Sequence, residues 1–138
     1  MRFYEIHRTI LASPEKIWAI LTDANRLQQG FSILKLEGQI TRGSKIKLWS
    51  EADPAAAFSI FVAEISAPKR MVWQSGMPFG LFVGRRVFSL TPLTDGQTKF
   101  TMREGYTGLF APMIFRKIPD LNPSFRKFAD ALQKAAEE

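Results

Sequence analysis

Apolar and polar residues alternate along most of this chain, and the alternation stops where its last thirty or so residues begin. At 2–12, Tyr4, Ile6 and Ile10 fall on one face, with Arg8 among them, and Phe3, His7 and Leu11 on the other. That is the period of a strand. Ser13 then offers an N-cap, Pro14 suits a first helical position and Glu15 complements the helix dipole. A short helix with Ile17, Trp18 and Leu21 inward follows, ending near Asp23, and 24–30 reads as a second short helix or a loop anchored by Leu27. Six more strands are predicted. Residues 32–41 place Leu34, Leu36, Gly38 and Ile40 on one face, and 44–51 turn Ile46, Leu48 and Ser50 inward. Residues 57–66 are apolar on both faces and do not choose a side; in 71–75, Met71 and Trp73 share a face. Residues 82–91 align Phe82, Gly84, Arg86, Phe88 and Leu90, and after the hairpin signal Asp95-Gly96, 97–106 align Phe100, Met102, Glu104 and Tyr106.

From Leu109 the period becomes helical. Leu109, Phe110, Met113, Ile114, Phe115 and Ile118 are apolar nearly all round, whereas Phe125, Phe128, Ala129, Leu132 and Ala136 form one stripe. Pro119 and Pro123 are not both compatible with an unbroken helix. The expectation is a helix near 109–118, a break at 119–122, and a second helix from about 123 to 136 with Asn122 as its N-cap. So wide an apolar face must be wrapped. The pattern therefore predicts an α+β fold, a seven-stranded antiparallel sheet curled around a long C-terminal helix, with one or two short helices after the first strand.

Composition narrows the function classes. The 138 residues suit one domain over 1–138, and 46% hydrophobic with 12% aromatic residues argues for a real core. No Cys and a single His exclude thiolate sites, disulfides and histidine clusters, so no cofactor or metal is expected. No run approaches the ~18 apolar residues of a membrane span, and Met1 to Glu5 lack a signal-peptide core. A soluble, cytoplasmic protein is expected. The formal charge of +6 is scattered, without the stripe or motif of a nucleic-acid binder, so no nucleic-acid partner is expected; an anionic ligand or a membrane surface stays open. The oligomeric state is open, a dimer included.

Arg86 and Glu104 are the most informative polar residues, because each interrupts a run of inward apolar positions, where an unpaired charge is costly. They read either as an ion pair fixing a hairpin or as groups that orient a ligand oxygen. Tyr106 adds a phenol near them. Trp73 reads as core packing or ligand stacking, and Phe82, Phe88, Met102, Phe110, Met113 and Phe125 as further candidate cavity wall. Met77 and Phe79, in the loop Gly76 to Gly80, suggest a lid. Large side chains such as Phe88 and Phe128 also have the bulk to fill such a cavity outright.

Several segments together resemble a known superfamily. Ile10 to Trp18 resembles the opening strand and helix of the START-related SRPBCC superfamily, Lys69 to Trp73 its mid-chain strand, and Gly84 to Leu109 its closing hairpin. The resemblance implies a helix-grip fold with an apolar cavity between sheet and helix. It implies binding or transport of a small hydrophobic, lipid- or polyketide-like ligand, with polyketide cyclase-like chemistry or chaperone activation as alternatives. Where the nearest subgroup often has an inward His, this chain has Arg86, which keeps a cationic donor but removes a group titrating near neutral pH.

Overall fold

The computed structural model of the chain describes residues 3–138; Arg2, with which the expected first strand begins, lies outside the described residues. Strand β1 (Phe3–Ile10) is followed by α1 (Pro14–Leu21) and α2 (Ala24–Leu27). Ser13 caps α1 as its sequence suggests, its hydroxyl accepting from Lys16 N at 3.2 Å. Six strands come next: β2 (Ile33–Glu37), β3 (Lys45–Ser50), β4 (Asp53–Ser66), β5 (Arg70–Gly76), β6 (Val83–Pro92) and β7 (Thr98–Thr107). They form one antiparallel sheet in the order β1-β7-β6-β5-β4-β3-β2. The first two strands in sequence thus become opposite edges, and α1 and α2 carry the chain from one edge to the other. The helix-grip architecture is completed by α3 (Ala111–Phe115) and α4 (Asn122–Glu137).

Helix α4 buries the predicted stripe, Phe125, Phe128, Ala129, Leu132 and Ala136, and packs on β1 and α1. Ile10, Ile17, Leu21, Phe100, Ala129 and Leu132 are wholly buried there. Polar ties close the same end. Arg8 reaches from β1 to Asp130 and Gln133 of α4 at 2.7 and 2.9 Å, Leu11 N donates to Glu137 Oε2, and the buried Thr98 hydroxyl donates to Ala12 O at 2.7 Å.

Three details differ from the sequence reading. The β2–β3 register shifts between Ile33 and Lys35, so Ile33 and Leu36 are buried and Leu34 is 49% exposed; an extra residue in one strand flips side chains to the other face. The first terminal helix is only Ala111–Phe115, because Lys117 N bonds Ile114 O in a tighter turn and Pro119 has no N–H to continue it. Asn122 is the first residue of α4 and not its cap, and Asp120 Oδ1 accepts from both its backbone N and its Nδ2, at 3.0 and 2.9 Å.

Candidate ligand cavity

Between the inner face of the sheet and the α3–α4 segment lies a cavity of about 540 Å³. The strand register explains its walls. Ile46 and Leu48 point inward on β3, so their partners Ile60 and Phe58 do so on β4. Trp73 lies between Val62 and Arg86 across the sheet, and Ser75 lies beside Gly84, which faces Tyr106. Gly84 lets Ser75 and the Tyr106 ring pack close to the strand: a Cβ on it would stand 3.2 Å from Ser75 Oγ and 3.5 Å from the ring. Ile114, Ile118, Phe125 and Phe128 close the helical side.

The polar cluster sits in this apolar shell. Arg86 and Glu104 are directly opposite in the β6–β7 ladder, and Arg86 Nε donates to Glu104 Oε1 at 2.8 Å. Their side chains keep 19% and 18% of their exposure, so the pair is neither solvent-screened nor fully dry. The Tyr106 hydroxyl donates to the other oxygen, Oε2. Burial, then the Glu104 charge and this hydrogen bond, hold the Tyr106 phenol well above its usual pKa. The Arg86 guanidinium also lies 5.0 Å from the centre of the Phe125 ring. Phe82 stacks on Tyr106 at 5.8 Å, and Tyr4 and Phe115 pack against its other sides.

The hydrogen bonding is unbalanced. Both carboxylate oxygens of Glu104 have donors, whereas among the described residues Arg86 has no hydrogen-bond partner beyond its Nε contact. The Trp73 indole N–H, next to Arg86 in register, is buried without a partner. The cluster thus holds more donors than acceptors.

Of the residues singled out from the sequence, the structure brings Trp73, Met77, Phe82, Arg86, Met102, Glu104, Tyr106 and Phe125 to the cavity wall. Four lie elsewhere. Phe88 is inward but packed into the core between Trp73 and Phe128, at 4.8 and 6.0 Å. Phe79 is 99% exposed, because its residue adopts φ 61° and turns the ring away from the sheet. Met113 points to solvent on the outer side of α3, and Phe110 is half-buried where that helix starts. Sequence reasoning missed Phe58 and Ile60 on β4, Leu48 and Ser50 as cavity wall, and Ile114 and Ile118 on the helical side. The inward parity of Ile46 and Leu48 would have found the β4 residues once the β3–β4 pairing was assumed. His7 stays on the outer face, bonded to Glu5 and Thr101. Among the described residues no His, Asp and Glu are grouped to hold a metal ion, and no helix is long and apolar enough to cross a membrane.

Solved structures share this architecture. An Aha1 dimer from Colwellia psychrerythraea is 22% identical over 99% of this chain and 97% of its own, with a TM-score of 0.74. A START superfamily protein from Mycobacterium smegmatis is 17% identical over 99% and 98%, with a TM-score of 0.73. A hypothetical protein from Helicobacter pylori reaches a TM-score of 0.77 at 11% identity, over 97% of this chain and 87% of its own. At these identities the likeness shows the fold alone. No curated protein sequence matches the chain. The sequence model of one family, described as activator of Hsp90 ATPase homolog 1-like protein, matches residues 11–137. With residues 11–137 covered by its model, the protein belongs to this activator of Hsp90 ATPase homolog 1-like family, and its helix-grip fold is the one the START superfamily structure shows.

Proposed function

We propose that the protein binds a small, largely apolar molecule in the cavity, with an acceptor oxygen of that molecule held by Arg86. One observation carries this reading: a largely apolar hollow contains a cluster in which both Glu104 oxygens already accept, while the rest of the Arg86 guanidinium and the Trp73 indole N–H have no hydrogen-bond partner among the described residues. The buried Trp73 N–H is costly to leave unpaired, and the partly exposed Arg86 guanidinium has N–H groups to offer a ligand carbonyl, carboxylate or phenol oxygen. Glu104 then acts as a positioning residue, orienting the guanidinium, and Tyr106 holds Glu104.

Native mass spectrometry of the purified protein should reveal a co-purified hydrophobic molecule, and calorimetry with that molecule provides the measure. Arg86→Met should weaken a polar-headed ligand roughly 10- to 100-fold, the range of a charge-assisted hydrogen bond. Unaltered affinity in a folded variant would sink the assignment. The family description supplies a second reading, activation of a chaperone ATPase. Stimulation of that ATPase that is indifferent to Arg86→Met would favour it.

A further inference from the structure

Beside the part of the cavity wall made by Met77 and Phe82, two turns are locked together. Residues 76–82 connect β5 to β6, and 107–111 connect β7 to α3. Phe110 N donates to Leu81 O at 2.9 Å. A Cβ on Gly108, whose φ is +107°, would stand 2.5 Å from Leu81 O and 2.6 Å from Gly80 O, so only glycine permits the approach. The first turn is also closed on itself, with Met77 N donating to Phe82 O at 2.8 Å.

This braced platform presents apolar side chains to solvent. Phe79, at the tip of the first turn, is 99% exposed in a left-handed backbone conformation that a bulky residue seldom adopts. Leu109, next to Gly108 on the second turn, is 76% exposed, and Met77 and Met113 are exposed beside them. Single surface apolar residues need no explanation, but a cluster of them does. Charge selects the occupant. Residues 76–82 and 105–118 contain no carboxylate and two cations, Arg116 and Lys117, both exposed, with Lys117 on the cavity wall. Of the acids flanking these segments in sequence, Glu104 is paired with Arg86, and Asp120 accepts from Asn122 and keeps its charge.

We infer that this surface docks on an anionic lipid bilayer, with Phe79 and Leu109 entering the interface and Arg116 and Lys117 meeting headgroup phosphates. Apolar tips flanked by cations match the two attractions a bilayer surface offers, and the formal charge of +6 favours the approach. A second copy of the chain fits less well, because a two-fold contact through this patch would bring the same cations together. The docking stands whether or not the cavity is loaded, so it does not depend on the ligand reading above.

Co-sedimentation with vesicles of phosphatidylglycerol and phosphatidylcholine, against phosphatidylcholine alone, tests it. The protein should bind the anionic vesicles more tightly, and added salt should release it. Phe79→Asn should weaken binding roughly tenfold, the effect of withdrawing a buried aromatic ring. Arg116→Gln and Lys117→Gln should each cost roughly fivefold. Phe79→Asn should leave the thermal midpoint unchanged, since Asn tolerates the left-handed conformation; Leu109→Ser serves as the independent second variant. Absence of binding to anionic vesicles would overturn the inference. So would binding indifferent to both apolar substitutions, which would mean unspecific charge attraction. Vesicle-free self-association that Phe79→Asn abolishes, without vesicle binding, would overturn it in favour of a second copy.

Discussion

One sheet and one helix enclose two different interiors. At the end where α4 meets β1 and α1, Ala129, Leu132 and Ala136 lie against Ile10, Leu21 and Phe100, and no side chain there holds the helix away. At the other end the same helix presents Phe125 and Phe128, the chain before it breaks at 116–121, and the facing strands carry Ser75 and Gly84. Small residues on a helix let it approach, and large ones hold it off. Polar groups follow the same division. The buried Thr98 hydroxyl has its acceptor at the closed end, whereas the Trp73 indole has none at the hollow end. A hollow with unspent donors is therefore built from ordinary elements by side-chain size and by one interruption of the helix.

The contrast can be broken at either end. The largest effect is expected from Leu132→Ala at the closed end, about 3 kcal/mol of stability, because a wholly buried side chain leaves an unfilled void. Denaturant titration measures it, and ligand affinity should stay the same. Tyr106→Phe, at the hollow end, removes a donor from Glu104 and should cost about 1 kcal/mol in the same titration. Ser75→Leu fills space that already exists, so stability should move by less than about 1 kcal/mol while ligand uptake is blocked. A loss as large as that of Leu132→Ala would show that the two ends are equally packed.

Alkaline pH sharpens the same distinction. The unfolded chain ionises the Tyr106 phenol near pH 10, whereas the folded chain keeps the proton because its pKa is raised. Its contribution to stability is thus fully present below about pH 10 and is lost as pH rises above that. Tyrosinate absorbance of the parent chain and of Tyr106→Phe should coincide until unfolding. An earlier divergence would mean that the phenol is open to solvent.

The closed end was the more legible in sequence. Ser13-Pro14 and the stripe from Ala129 to Ala136 each follow from local rules, and the structure places them accordingly. The two prolines also foretold the break, although α3 is shorter than its apolar run suggested. The inward charges Arg86 and Glu104 could be picked out because they interrupt apolar runs. The β4 wall could not, because a strand apolar on both faces carries no sign of which face turns inward, and its register with β5 shifts between Val62 and Glu64. Leu34 was misplaced for the same kind of reason, since a bulge leaves no period-two trace. Phe79 and Met113 lie outside the wall because apolarity in a turn or short helix marks neither inside nor outside.

The size of the hollow has a thermodynamic consequence. About 540 Å³ corresponds to roughly eighteen water molecules at liquid density. Solvent in such a cavity meets apolar wall over much of its surface, and an apolar guest returns that solvent to bulk. Complex formation should therefore carry a negative change in heat capacity, steepening the temperature dependence of its enthalpy.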